Sequence, residues 1–533
     1  MEVRNTFMEN YGLVSVLPPL VAIVLAIVTR EVYLSLLLGI LVGTFILNEG
    51  NILLMFTKAF DIMFEKVGDP VWNIRTIIYT LMLGSIIGLA VKSGGSEAFA
   101  RWAGNKIKSR RSGQAVTFLS GIIIFLDDYF NCLIVGSVLR PVCDRFKISR
   151  EKLAYITDST AAPVVILMPI SSWVAYIIGL LGDQFKQLNI TSVTPFMQFV
   201  YTIPYNLYAW LTLIMVGVII FTNLEYGPMA KAEKRAIVTG KMYEETSTAP
   251  PGDDFNNIKV SSKGKAVDMF FPIIALVATV AIFMLYTGKY FDGGITIGQA
   301  FQQTDSVTAL VYGTFATLVL TVLFYQVRGV VSIIDSMEGV IQGMKAMMGG
   351  LVILALAWTI GGVTSELGTG AYVAEVVSKN LPVDIIPATI FIVACFMAFS
   401  TGTSWGTFAI MIPIAVPLAL ASGASMTMCL AALFSGAIFG DHCSPLSDTT
   451  ILSSTGAGCP HVDHVRTQLP YALTVAACAF VGFLIAGWGF TGEGFILPFL
   501  VALGLLIGAM YVLHRLNKDT ILELDRHIEK ADL

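Results

Sequence analysis

The sequence predicts an all-α polytopic membrane protein: about eleven transmembrane helices and two re-entrant hairpins, arranged as two inverted-topology repeats. Three observations lead there. Of the 533 residues, 55% are hydrophobic and 13% charged, where a soluble domain carries about 25% charged residues. Apolar runs of spanning length recur along the chain. Two stretches, Phe125 to Pro163 and Phe399 to Thr455, place carboxylates and hydroxyls inside otherwise apolar sequence. An ionisable residue at that depth costs roughly 2.5–3.5 kcal/mol, so four or five aspartates cost on the order of 10 kcal/mol or more. Such residues persist where something polar uses them, which points to a pathway for ions or small solutes.

The elements follow in order. Apolar runs of about 17–25 residues mark spans at 13–29, 31–47, 74–92, 150–181, 198–221, 269–287, 306–326, 347–365, 427–456, 468–489 and 495–514. The polar N-terminus lacks a basic segment and a small-residue cleavage site, so no removable signal peptide is expected. The seven cysteines lie mostly in apolar segments without secreted spacing and read as buried free thiols. Lysines and arginines orient the spans. The segments 101–111, 140–152 and 222–268 are rich in them and belong in the cytoplasm. The segment 366–389 sets Glu366, Glu375 and Asp384 against Lys379 and belongs outside. The N-terminus is then outside and the C-terminal tail cytoplasmic.

Both flanks of 114–139 are basic, so the stretch reads as a re-entrant hairpin that turns at Asp127-Asp128. Irregular backbone at that depth needs protein or a water-filled cavity around it. A single ordinary helix with one basic flank outside is the plainer alternative. The stretch 390–420 reads as a second hairpin, with its tip at Ser400 to Ser404.

Lys92 precedes Asp127 by the same 35 residues that separate Glu366 from Thr401. Further on, TDSTAAP (Thr157 to Pro163) corresponds to GDHCSPL (Gly440 to Leu446), with Asp158 opposite Asp441. The order of span, polar hairpin, broken helix and closing span is repeated, and the loop charges give the two copies opposite sense. Related broken elements then converge near the midplane. The chain divides into a first repeat (1–225, scaffold spans 13–47, transport elements 74–221), a flexible cytoplasmic linker (226–268), a second repeat (269–490, scaffold spans 269–326, transport elements 347–489), and a last helix with tail (495–533).

The candidate site residues sit in these breaks. At the first tip, Asp127, Asp128 and Asn131 can bind a cation or share a proton, and one Asp is expected to cap the following helix. At the second, Ser400, Thr401, Gly402, Thr403, Ser404 and Trp405 supply hydroxyls and carbonyls that suit a hard cation; helix N-termini facing the gap would instead suit an anion. Thr157, Asp158, Ser159 and Thr160 precede Pro163, which interrupts a helix, and Asp441, His442 and Ser444 precede Pro445, with Asp448 and Thr449 close behind. Unwound carbonyls with Asp158 or Asp441 make a Na⁺ site, and a carboxylate that takes either Na⁺ or H⁺ gives exchange directly. The bland reading is a carboxylate satisfied by backbone groups freed at the break. His442 reads equally as a proton shuttle or a satisfied polar residue. Lys92 and Glu366 read as snorkelling or capping residues. Trp173, Tyr176 and Trp405 read as packing between spans before cavity wall. Cys459, His461 and His464 fall in an expected cytoplasmic loop and are too few for structural zinc. No GxxxxGK[ST] motif is present, so ATP drive is not expected, and no separate enzyme domain, organic cofactor or nucleic-acid tract is read.

The runs GDHCSPLSDTTILSSTGAGCPHVDHVRTQLPYAL (Gly440 to Leu473) and LDDYFNCLIVGSVLRPVCDRFKISREKLAYITDSTAAPV (Leu126 to Val164) strongly resemble the NhaC-type Na⁺/H⁺ antiporter family, within the ion transporter superfamily. The likeness covers about residues 75 to 490. It implies an elevator-like movement of a transport domain against an oligomerising scaffold, as a dimer or trimer in the bacterial inner membrane. Carried over, Asp127, Asp128 and Asn131 match the first tip, Thr401 to Ser404 the second, and Asp158, Asp441 and Ser444 the breaks. Relatives exchange organic acids with Na⁺ and H⁺, and one branch is associated with tetracycline efflux. The expected activity is Na⁺/H⁺ antiport on buried aspartates. The alternative is a Na⁺- or H⁺-coupled exporter of a small organic compound such as a drug, organic acid or amino acid.

Overall fold

The computed structural model describes residues 11–29, 31–70, 73–95, 98–99, 102, 107–125, 128–169, 171–244, 260–369, 372, 382–488 and 496–517. Among these every regular element is helical. Helices α1 (Leu17–Thr29) and α2 (Val32–Leu47) are apolar throughout, and α3 (Ile52–Val67) follows after a 116° bend. Asn51 caps α3 by accepting from Leu54 N at 3.1 Å. Charged Lys58, Asp61, Glu65 and Lys66 on α3 explain why no span was expected there.

Helix α4 (Asn73–Lys92) leads to a helical hairpin of α5 (Arg110–Ile123) and α6 (Asp128–Arg145). Its outer ends meet: Arg110 Nη1 donates to Phe146 O at 3.0 Å. The chain continues through α7 (Arg150–Ser159), the single turn α8 (Ala162–Val165), α9 (Ser172–Gln187), α10 (Pro195–Thr202), α11 (Leu207–Thr222) and α12 (Gly227–Thr239). The second half comprises α13 (Val267–Thr287), α14 (Ile297–Gln302), α15 (Ser306–Arg328), α16 (Ile333–Glu366), a second hairpin of α17 (Ile386–Thr401) and α18 (Ser404–Ser422), then α19 (Met426–Cys443), α20 (Asp448–Ala457), α21 (His461–Gly487) and α22 (Ile496–Leu516).

By length and apolar character, nine described helices can cross a membrane, or ten if α2 and α3 form one bent span. About eleven are expected from the apolar runs. The two sets also differ in membership: the nine include the hairpin helices α17 and α18, which stand outside the expected eleven, and no helix from the run 150–181. The run 150–181 is split into α7, α8 and α9, and the run 427–456 into α19 and α20, because Pro163 and Pro445 each interrupt the helical ladder. Conversely, α16 begins at Ile333, well before the expected 347.

Helices α4 and α16, the spans paired by the repeat, cross antiparallel. Gly88 lies against Gly339 and Gly84 against Gly343; a Cβ on Gly343 would sit 2.1 Å from Gly84 O. Only glycine allows backbones that close. Lys92 is buried beside the crossing and pairs with Glu338 at 2.8 Å, while Glu366 pairs with Lys58 at 2.7 Å.

Two large apolar cores form, and neither follows a sequence half. One gathers residues of α9, α11, α17, α18, α19, α21 and α22; the other gathers α2, α4, α6, α13, α16 and α20. Phe399 packs against both. The broken helices lie along this seam.

Part of the expected flexible linker is built structure. Helix α12 buries Met229, Ala230, Glu233 and Ala236. Glu233 takes Arg110 at 2.5 Å and the Ser149 amide at 2.8 Å, and Arg235 pairs with Glu151 at 2.7 Å. Alternating small apolar and charged side chains let one face of α12 dock while its ions pair. Residues 245–259 of that stretch lie outside the described residues.

Candidate functional site

Four irregular elements meet at the seam: two hairpin tips and two helix breaks. At the second tip the chain turns through Gly402, whose φ of +70° is a left-handed conformation. A Cβ there would also lie 2.4 Å from Leu446 O, so tip and break touch backbone to backbone. Gly402→Ala is therefore expected to hold the tip off the break. It should lower transport at least about tenfold while the protein still elutes as a single species on size exclusion, since the strain is local.

Helix α19 ends where Ser444 turns extended ahead of Pro445, and α20 restarts with Ser447 as its N-cap. Asp441 is 1% exposed. Its Oδ2 accepts from Ser404 Oγ at 2.6 Å and Ser404 N at 3.2 Å, and its Oδ1 from Ser447 Oγ at 2.5 Å. Asp441 thus occupies the N-terminus of α18. Ser447 Oγ also lies 3.0 Å from Thr449 Oγ1, and Ser444 Oγ donates to Phe399 O at 2.7 Å.

In the first half, Asn131 holds tip and break together by sharing its amide hydrogens among Gly121 O (2.6 Å), Ile124 O (2.8 Å) and Thr160 O (2.9 Å). Its amide nitrogen thus braces the tip, while its Oδ1 is buried without a hydrogen-bond partner among the described residues. Asp128 opens α6 and accepts from Trp173 Nε1 at 3.0 Å. Trp173 in turn packs edge-on against Trp405 and Phe408 of the second hairpin. Asp127 lies outside the described residues.

The breaks fall slightly later than the residues named for them. Thr157, Asp158 and Ser159 form the last turn of α7, and Asp441 and His442 the last turn of α19. The unwound segments are Thr160-Ala161 and 444–447, where the proline ring acts on the preceding turn. Ser400 and Thr401 donate their hydroxyls to Met397 O within α17.

The two halves are bound to each other at this point. Thr450 Oγ1 lies 3.3 Å from Asp158 Oδ2 and 3.4 Å from Asp441 O. Ser159 Oγ lies 3.1 Å from His442 Nε2, whose Nδ1 meets Tyr208 OH at 2.8 Å. Tyr129 of the first tip hydrogen-bonds Asp448 of the second break.

Sequence reasoning missed two partners of Asp158. His464 Nε2 lies 3.2 Å from Asp158 Oδ2, and Gln468 Nε2 donates to the same oxygen at 2.7 Å and also to His442 O. The expected cytoplasmic loop holds His464, and Gln468 opens the expected span 468–489. Both are buried in α21, which starts at His461. His461 itself is held by Ser454 and by Pro445 O at 2.9 Å. The available signal was spacing: His461, His464 and Gln468 fall on one helical face. Buried oxygens Asp158 Oδ1, Gln468 Oε1 and Thr157 Oγ1 have no hydrogen-bond partner among the described residues. Such oxygens suit a hard cation, and hydroxyls that now donate to Asp441 can rotate to offer lone pairs.

Beside this cluster lies a cavity of about 440 Å³. Thr401, Gly402, Thr403, Trp405 and Asp448 line it with Tyr129, Tyr176 and Trp358. Trp405 is thus cavity wall as well as packing. Ser404 and Asp441 stand behind the tip, so polar groups run from Asp448 through Ser447 and Asp441 to Asp158 and His464.

Residues 164–488 match the model of the Na⁺/H⁺ antiporter family. An uncharacterised protein of Haemophilus influenzae is 40% identical over 492 residues, covering 90% of this chain and 91% of that protein. A malate-2H⁺/Na⁺-lactate antiporter of Bacillus subtilis is 31% identical over 157 residues, 28% of this chain and 32% of that protein. The crystal structure of the YdaH transporter of Alcanivorax borkumensis aligns over 83% of this chain and 90% of its own, at 17% identity and a TM-score of 0.38. With more than half of its residues matched to one family model, in a chain of many apolar helices, this protein is a multi-pass membrane protein that belongs to the Na⁺/H⁺ antiporter family.

Proposed function

We propose that the chain is a secondary active Na⁺/H⁺ antiporter that exchanges ion and proton on Asp441 and Asp158. One observation carries the reading: two buried aspartates, one from each half, where the Thr450 hydroxyl lies between the Asp158 carboxylate and the Asp441 backbone carbonyl, with hydroxyls on the Asp441 carboxylate and unpartnered oxygens around Asp158. The other polar candidates shape this pocket, Asp448 and Thr449 from the break and Ser404 from the tip.

The two hairpins are proposed as re-entrant elements of inverted repeats. The meeting of Arg110 with Phe146 at the outer ends of the first hairpin and the antiparallel crossing of α4 and α16 support this. From loop charge and the family's pattern we also propose an outside N-terminus, a cytoplasmic tail and a place in the bacterial inner membrane, with an elevator movement in a homo-oligomer.

Na⁺ and H⁺ competing for one negative site predicts a particular pH response. In proteoliposomes with the purified protein, an imposed Na⁺ gradient should move protons, and half-saturating Na⁺ should rise as pH falls, by up to about tenfold per unit for one proton. Half-saturation independent of pH, or no proton movement, would remove the shared-site mechanism. A second reading, a small organic substrate coupled to these ions, is favoured by the 440 Å³ cavity at the tip, within the size range of small-molecule sites.

A further inference from the structure

We propose that the cavity beside the second hairpin tip binds a small organic cation, an amine or quaternary ammonium with an apolar body. This rests on the coupled-substrate reading only for transport; binding stands by itself. The wall is aromatic: Trp405, Trp358, Tyr176 and Tyr129 line it, with Tyr176 and Trp405 rings 4.8 Å apart. Asp448, 7% exposed, adds a carboxylate steadied by the Tyr129 hydroxyl. Aromatic faces and a single carboxylate are the chemistry that holds a desolvated ammonium.

The same site is poorly built for a carboxylate ligand. A helix N-terminus is the usual backbone seat for an anion. Here the N-terminus of α18 already holds Asp441 through the Ser404 amide. Helices α20 and α6 begin with their own acids, Asp448 and Asp128. The one lysine on the cavity wall, Lys66, pairs with Glu65 at 2.8 Å. A carboxylate entering would meet Asp448 as a like charge. The selectivity inferred for this chain therefore differs from the organic acids in the name of the Bacillus relative.

The test uses the full-length protein in detergent without Na⁺, with ionic strength held by KCl. Benzyltrimethylammonium should quench tryptophan fluorescence saturably, while benzyl alcohol at the same concentration and lactate should not. Asp448→Asn and Trp405→Leu should each weaken binding at least about tenfold, and Trp405→Phe should retain most of it. If Asp448→Asn fails to fold, Trp358→Leu against Trp358→Phe makes the same comparison. Equal quenching by benzyl alcohol, tighter binding of lactate, or unchanged affinity in Asp448→Asn would overturn the proposal. Wild-type Na⁺/H⁺ exchange, measured without organic cation, separates the two readings. Exchange without ammonium binding sinks this inference alone, and ammonium binding without exchange sinks the antiport reading alone.

Discussion

Asp441→Asn is expected to abolish Na⁺-driven proton movement in proteoliposomes and leave the protein folded. The substitution keeps the side chain's shape, and the amide oxygen can still accept from Ser404. It removes the negative charge for which ion and proton compete. Losing one partner of a buried, hydrogen-bonded charge pair costs about 2–5 kcal/mol, which is roughly thirtyfold to several thousandfold in affinity. Ser447→Ala should have a smaller effect, because Ser404 remains on the other oxygen. Exchange by Asp441→Asn at the wild-type rate would take Asp441 out of the mechanism and leave Asp158, with His464 and Gln468, to carry it.

Lys152→Met should give the largest loss of stability. The Lys152 ammonium and the Glu225 carboxylate are 2.6 Å apart, with the lysine side chain at 0% and the glutamate at 5% exposure. Tyr471 OH donates to the other Glu225 oxygen at 2.5 Å. Removing the lysine leaves a carboxylate buried with one neutral donor, a change that costs about 3–5 kcal/mol in comparable pairs. The thermal midpoint in detergent should fall by several degrees or more. Lys152→Met with Glu225→Gln should recover most of the loss, since glutamine still accepts from Tyr471 and no charge is stranded. An unchanged midpoint in the single variant would mean that this contact does not hold α7 to the chain leading into α12.

The positions where helices stop were legible because their causes are local. Pro163, Pro445 and Gly402 each act on their own neighbours, so the breaks could be placed to within a turn. The end of α19 at Cys443 is the clearest instance. Boundaries set by hydropathy were less secure. His461 and His464 made the start of α21 look like a loop, because a hydropathy average sees polar side chains and not the partners that satisfy them. The same blindness made α12 look like a linker, although its charges are paired with Arg110, Ser149 and Glu151.

Composition, the polar breaks and their repeated order determined by themselves that this is a membrane protein with acidic residues in its interior, and the long motifs around Asp158 and Asp441 marked its family. Only the tertiary structure decided which atoms face one another. Gln468 reaches Asp158 across 310 residues, Tyr129 reaches Asp448 across 319, and Asn131 turned out to brace the first tip. Backbone preferences are set by near neighbours and can be read along the chain. A hydrogen bond between distant segments depends on how whole helices pack, and that packing is a property of the folded chain as a whole.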